Sequence, residues 1–303
     1  MLRFVLLLAL AADVHAAGVT VDIDSAAELY QDAAIREQVR ASLGSIPQQI
    51  LRLFEADSQS KLNADQLAAV TAAAKRGFRI DVFEAPALAV LASNLDPATL
   101  KKTEAFLSSD VGKRMVAADV AASSLDQAEI DKVMNGDIAV ATTPQRDAIL
   151  DKLERASRSS ESAVEIFLSM GTAVAVGTAV GAGQDPGPVQ ERSQKAGDES
   201  RAALQESMRK PLWRYMAYGY RDLSDSDLKH VTAFMESPAG KRYVSAYIAS
   251  MDAGFNAMGR RCGEQLGESF RELAQAQLAT TQREDTIPPD IAKPDIVKPV
   301  PKP

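Results

Sequence analysis

Two serine–lysine pairs in this chain have the spacing of an acyl-transfer nucleophile. Ser58 with Lys61, and Ser207 with Lys210, read S-x-x-K, a pattern in which the serine is the nucleophile. The companion motifs of that enzyme class, S-D-N and K-T-G, do not occur in the sequence. A serine hydrolase is therefore the least favoured function for this chain.

Histidine chemistry is equally sparse. The sequence has two histidines, and His15 lies in an N-terminal segment that we expect to be removed, which leaves His230. One imidazole does not make a multi-histidine metal site, and the sequence contains no H-E-x-x-H, C-x-x-C, G-x-S-x-G or Walker-type loop. We predict no catalytic residues, no metal site and no cofactor, and hence a protein that is not an enzyme.

The single cysteine, Cys262, stands in the segment RRCGEQ. One cysteine excludes an intramolecular disulfide. The neighbouring arginines favour a thiolate, which in an oxidising compartment can join two chains into a homodimer. Cysteine is also among the most frequently buried residue types. An intermolecular disulfide and a core position both remain open.

A glycine followed by two cations occurs twice, each time near a predicted helix start. The residues are Gly112, Lys113, Arg114, Gly240, Lys241 and Arg242. Amides and cations at a helix start can bind an anion such as phosphate or carboxylate. Alternatively, the glycine lets two helices approach closely and the cations reach the carbonyl end of the preceding helix. Because the motif is repeated, we favour the structural interpretation.

Aromatic residues are concentrated in the segment PLWRYMAYGYRD. It supplies four candidate ligand-binding residues, Trp213, Tyr215, Met216 and Tyr220. With the uncharged stretch 166–183, IFLSMGTAVAVGTAVGAG, this segment is expected to line a groove for a small apolar molecule or lipid. Aromatics at helical spacing are also common in cores. The stretch 166–183 itself is short and rich in Ala, Val and Gly for a membrane span, so we interpret it as a buried helix or groove wall.

The N-terminus predicts export. A basic start, the apolar run FVLLLALAA and the small residues of VHA are typical of a signal peptide over residues 1–16, cleaved after Ala16. Export implies the periplasm and no membrane span in the mature chain. The net charge of −7 provides no attraction to nucleic acid.

The elements that position these residues are predicted to be helices. The segments LNADQL, LDPATL and LSDSDL each place a capping residue inside a hydrophobic staple. Residues 95–116 and 223–244 agree at 10 of 22 positions when aligned without gaps, which indicates an internal duplication. Each copy predicts a helix, a tight corner and a second helix.

These patterns predict an all-α protein of two duplicated helical-bundle domains, residues 17–140 and 141–284. The pair Asn135-Gly136 is favoured as a helix end over a hairpin turn. From residue 285 to residue 303, proline recurs every few positions, so a disordered Pro-rich tail is expected.

The corner sequences AFLSSDVGKR and AFMESPAGKRY, with LDKLERASRSSESAVEIFLSM, resemble the bacterial periplasmic domain-of-unknown-function 2059 family. The resemblance is strongest over residues 210–255 and implies an all-helical periplasmic protein, present here as two copies. The family has no established catalytic residues or ligand, so no site residue follows from it. The first corner departs from the pattern, with Asp110-Val111 where Pro238-Ala239 stand in the second.

The sequence therefore favours an exported, non-enzymatic interaction or scaffold module whose partner is an unidentified envelope protein. A carrier of a small apolar molecule or lipid is the alternative. The Pro-rich tail is suited to recognition by an aromatic-lined groove of a partner.

Overall fold

The computed structural model describes residues 20–44 and 62–285, with side chains described up to residue 279. Within these ranges the chain forms twelve α-helices and no β-strand, which confirms the all-α class. They are α1 (Ile23–Asp32), α2 (Ile35–Leu43), α3 (Ala64–Gly77), α4 (Ile80–Asn94), α5 (Pro97–Leu107), α6 (Asp110–Ser123), α7 (Gln127–Asn135), α8 (Pro144–Ser157), α9 (Ser159–Gly181), α10 (Gly187–Gly219), α11 (Asp225–Glu236) and α12 (Pro238–Asp285). The predicted signal peptide, the Ser58/Lys61 pair and all but the first residue of the predicted tail lie outside the described residues.

The predicted helix starts are confirmed at the level of individual hydrogen bonds. Asn63 and Gln66 form a capping box at the start of α3, and Ser224 and Asp227 form one at the start of α11. Asp96 caps α5 through its side chain. Each cap satisfies backbone N–H groups that a helix start leaves without an intrahelical partner.

The pair Asn135-Gly136 ends a helix, as favoured from the sequence. Gly136 has φ 88°, the left-handed conformation that glycine adopts at low cost. Its N–H donates to Lys132 O and Val133 O, and α7 therefore stops there without a hairpin.

The long helix α12 organises the core. Its 48 residues correspond to a length of about 72 Å, and it packs against α3, α4 and α9. Phe83 of α4 meets Phe255 of α12 edge to face, with ring centroids 5.1 Å apart. Buried residues from both predicted domains belong to this principal cluster. The division at residues 140 and 141 stays a prediction.

Helices α9 and α12 are in backbone contact over several turns. Gly177 and Gly181 of α9 face carbonyl oxygens of α12, and Gly263 and Gly267 of α12 face carbonyl oxygens of α9. A Cβ atom at any of these four positions would collide with the opposing carbonyl oxygen. Contacts advance in the same direction along both helices, so the pair is parallel. Packing this close requires glycine at the interface.

Candidate functional site

The two corners are built alike. Ser109 and Ser237 each accept a hydrogen bond from the N–H three residues ahead, at 3.1 Å and 3.0 Å. At both corners a Cβ on the glycine, Gly112 or Gly240, would collide with a carbonyl oxygen of the preceding helix. The glycines therefore allow close helix approach, as the structural interpretation predicted. The aspartate at residue 110 takes the place of the proline in the second corner without changing this geometry.

The two corner units, α5–α6 and α11–α12, face each other. Phe106 and Phe234, which hold the same position in the aligned segments 95–116 and 223–244, stack with centroids 3.9 Å apart and an interplanar angle of 3°. Tyr243 lies beside this pair, 6.4 Å from the ring of Phe234. The stacked rings join the first half of the chain to the second.

The corner arginines also reach across. Arg114 donates to Asp227 at 2.6 Å, and Arg242 donates to Asp96 at 2.9 Å. Each arginine thus pairs with a carboxylate at the helix start of the opposite unit, whereas the sequence interpretation directed it to the preceding helix of its own unit. The hydrogen bond from Arg114 lowers the pKa of Asp227. The pKa of Asp96 is lowered mainly by its hydrogen bonds from Thr99, with Arg242 adding to them. In this structure the two arginines link the corner units to each other.

Three of the four aromatic-segment candidates are buried. Tyr215, Met216 and Tyr220 are 1%, 2% and 6% exposed, and Trp213 is partly buried. The Tyr215 hydroxyl donates to Ala122 O at 2.8 Å. Burial of this kind matches the core alternative, and it leaves no open ring surface on Tyr215 for a ligand.

The polar atoms of Trp213 and Tyr220 also form hydrogen bonds within the chain. Trp213 donates its indole N–H to Asp151 at 2.9 Å, and Tyr220 donates its hydroxyl to Asp119 at 2.7 Å. These bonds fasten the C-terminal part of α10 to α6 and α8. The segment therefore connects helices rather than lining the large groove.

A large groove lies between α9 and the N-terminal half of α10, away from the aromatic segment. It has a volume of about 490 Å³ and runs between α9, residues 190–201 of α10 and two residues of α12. Its walls combine apolar Leu168 and Val176 with an ion pair between Arg201 and Glu165. Arg201 also contacts Asp198 at 3.0 Å. The groove is therefore amphipathic, with a charged rim.

A second, small cavity of about 40 Å³ lies where α2, α6, α10 and α12 meet. Asp119 lines it beside Tyr220, Tyr243 and Tyr247. Removal from water raises the pKa of Asp119 to about 7, against the opposing hydrogen bond from Tyr220. Gln38 of α2 also lines the cavity and is 3% exposed.

Ser207 and His230, the described candidates for nucleophilic chemistry, each bond within their own helix. Ser207 is exposed and donates its hydroxyl back to Leu204 O at 3.0 Å. The exposed His230 places Nδ1 2.8 Å from Ser226 O on its own helix. No group of three or more His, Cys, Asp or Glu side chains that could hold a metal ion occurs among the residues described.

Cys262 lies in the core of the α3–α12 contact. It is 3% exposed, and its backbone faces Gly77 so closely that a Cβ there would collide with it. Burial raises the pKa of the thiol to about 12. A disulfide to a second chain would require this side chain to become exposed, so the core alternative describes its position in the fold.

Two features were not predicted from the sequence: the cavity at Asp119 and Gln38, and the glycines of α12 that pack against α9. Asp119 and Gln38 belong to no motif, and their neighbours come from distant parts of the chain. The G-x-x-x-G-x-x-x-G spacing of Gly259, Gly263 and Gly267 could have predicted these glycines. It has the same four-residue spacing as Gly177 and Gly181 of α9.

One helix in the described part of the chain, Ser159–Gly181, is long and apolar enough to cross a membrane by length and composition alone. About a third of its apolar window, 33%, is buried inside the protein. The helix forms one wall of the 490 Å³ groove. That position agrees with the interpretation of residues 166–183 as a groove wall.

Comparison with known proteins gives a family match for part of the chain. Residues 81–136, which hold α4 to α7 and the first corner, match the family described as uncharacterized protein conserved in bacteria, domain-of-unknown-function 2059. The segment 210–255, where the resemblance was expected to be strongest, lies outside the matched range. No curated protein and no solved structure matches the chain. The match supports a place for the chain in this bacterial family through its first corner unit.

Proposed function

We propose that this protein is an exported, periplasmic interaction module without catalytic activity, and that it holds a segment of another envelope protein in the groove between α9 and α10. The observation that carries the proposal is the solvent exposure of residues 187–211 in α10. This stretch forms more than six turns of helix, yet none of its residues is buried.

A polar helix without a buried face gains little from its own protein. Its internal ion pairs are exposed, with Lys195 and Glu199 3.9 Å apart and Asp198 and Arg201 3.0 Å apart. Pairs of this type contribute about 0.3 to 0.5 kcal/mol each. Helical stability normally comes from packing of an apolar face, so a partner seated in the groove would supply packing that the chain lacks.

The groove has the composition of a protein-binding surface. Leu168, Ala173 and Val176 form an apolar floor, and Gln190, Gln194 and Asn256 present amide groups at the edge. Interfaces combine an apolar centre with a polar rim in this way. Amide groups can pair with the backbone of an extended segment of any sequence.

A carrier of a small molecule is the second candidate, because a volume of about 490 Å³ falls within the range of small-ligand sites. The charged pair of Arg201 with Glu165 at the wall favours a ligand that carries polar groups over a purely apolar lipid.

Native mass spectrometry of the protein purified without reductant from the periplasm of its own host tests both candidates. The proposal predicts a polypeptide that starts at Ala17 and a non-covalent complex with a second protein. A mass excess of a few hundred daltons that disappears on denaturation would instead support the carrier. A chain that retains residues 1–16, or one that is always a bare monomer, would contradict the proposal.

The same spectra test the alternative in which Cys262 joins two chains into a homodimer. A dimer that persists without reductant and collapses when reductant is added would show that Cys262 becomes exposed and bridges two chains. A dimer that is insensitive to reductant would place the contact elsewhere.

A further inference from the structure

The cavity of about 40 Å³ is lined by oxygen atoms that can accept hydrogen bonds, and one of them has no donor. Gln38 donates its Nε2 hydrogen to Ala33 O at 2.8 Å, which fixes the orientation of the amide. Its Oε1 atom has no hydrogen-bond partner among the described residues. A buried acceptor without a partner costs free energy comparable to a lost hydrogen bond.

A carboxylate faces the same space. Asp119 Oδ1 accepts one hydrogen bond, from Tyr220 at 2.7 Å. The titratable groups that line the cavity from the helices packed around Asp119 are the hydroxyls of Tyr220, Tyr243 and Tyr247. Among the described residues that line the cavity there is no lysine, arginine or histidine. The negative charge is therefore without a cationic neighbour in the cavity wall.

The remaining lining oxygens could serve as ligands. Tyr243 and Tyr247 are 6% and 4% exposed, and both line the cavity. Burial raises the pKa of both tyrosines, and Asp119 adds to this effect at Tyr243 and, after Tyr243 itself, at Tyr247. The cavity thus combines one carboxylate, one amide oxygen and phenolic oxygens.

We propose that this cavity binds one monovalent inorganic cation, held by Asp119, Gln38 Oε1 and the hydroxyls of Tyr243 and Tyr247. Hard oxygen ligands select alkali and alkaline-earth ions. A single carboxylate in a space of this size does not match Ca²⁺, which takes six to eight oxygens, or Mg²⁺, which keeps several waters. Sodium, potassium and ammonium ions share the required charge.

A proton on Asp119 competes with the cation. Burial raises the pKa of this carboxyl to about 7, so the carboxylate form that binds the cation predominates above that pH and is lost below it. Cation stabilisation is therefore expected at about pH 8 and is expected to vanish at about pH 5.5.

The test is the thermal unfolding midpoint of the mature full chain at constant ionic strength. Sodium, potassium or ammonium chloride replaces a salt of a large organic cation, such as choline, up to about 150 mM. We expect a rise of about 3 °C or more at pH 8 for at least one of the three ions, and no rise at pH 5.5. Differences among the three ions identify the preferred one.

Variants separate binding at the cavity from general salt effects. Asp119→Asn should abolish the rise, and Asp252→Asn should keep it, because Asp252 is also a desolvated carboxyl but does not line the cavity. Gln38→Met removes the unpartnered oxygen and should weaken the response several-fold while leaving the titration of Asp119 in place, so it serves if Asp119→Asn does not fold. Equal midpoints in all four salts, or an equal rise in Asp119→Asn, would overturn the proposal.

Discussion

Asp119 is a carboxyl whose surroundings favour its protonated form. It accepts one hydrogen bond from Tyr220, and the described residues that line its cavity include three tyrosines and no lysine, arginine or histidine. Desolvation favours the protonated form, which explains the raised pKa. Because the folded-state pKa of about 7 lies above the ordinary value of 3.8, the stabilising contribution is complete below pH 4 and is lost as the pH rises through 7.

The free energy of unfolding should therefore fall between about pH 4 and pH 7 in a buffer whose only cation is choline. We expect a decrease of about 2 to 4 kcal/mol, since one pKa unit corresponds to about 1.4 kcal/mol and the side chain is partly exposed. Urea titrations of the native protein and of Asp119→Asn at several pH values measure it. Their difference isolates Asp119 from other groups that titrate in this range, such as Asp252. Parallel pH profiles for the two proteins would show that Asp119 titrates normally.

At the scale of elements, the corner is the unit that the chain uses twice. Serine caps the second helix, and a glycine allows the second helix to cross against the end of the first. Local signals of this kind act over three or four residues, so they can be read directly from the sequence. Asn63, Asp96 and Ser224 were predictable caps for the same reason.

Substitution of a corner glycine tests this account of the element. Gly112→Ala and Gly240→Ala place a methyl group against the carbonyl oxygens of Phe106 and Phe234. We expect each to lower the free energy of unfolding by about 1 to 3 kcal/mol. Gly171→Ala is the matched control. Gly171 is exposed in a helix, and a Cβ added there would meet no heavy atom within 4 Å beyond its own helix backbone. This substitution should raise stability by about 0.5 to 1 kcal/mol, because alanine is the better helix former. Equal effects at all three positions would mean that close approach is unimportant.

At the scale of the whole molecule, the two corner units dock through their equivalent rings and their exchanged arginines. The stacking of Phe106 over Phe234 between two similar corner units is compatible with the predicted internal duplication, which stays a prediction. The exposed ion pairs of Arg114 and Arg242 are expected to contribute less than the rings, because solvent and salt screen exposed charges.

A double-mutant cycle on Phe106→Ala and Phe234→Ala measures this docking. We expect a coupling free energy of about 0.5 to 1.5 kcal/mol, the value typical of aromatic pairs. The control cycle pairs Phe106→Ala with Ile130→Val, because Ile130 lies in a separate buried cluster. That cycle should be additive within about 0.5 kcal/mol. Additivity in both cycles would remove the rings as the link between the halves.

The long-range arrangement was less predictable than the helices. Tyr220 and Asp119 are 101 residues apart in the chain, and no sequence pattern predicts their contact. The aromatic segment of α10 was expected to line a groove, but the pattern of rings does not tell which helices will cover them. In the structure α6 and α8 cover this part of α10, and the large groove forms over its polar N-terminal part.

The central claim, that the α9–α10 groove holds a partner, is tested most directly by photocrosslinking in intact host cells. A photoreactive residue replaces the exposed, groove-lining Gln194, and in a control it replaces the exposed Lys102 on α5. We predict a discrete protein adduct from position 194, none from position 102, and loss of the adduct when Gly197→Phe fills the groove. No adduct from position 194, or the same adducts from both positions, would contradict the account.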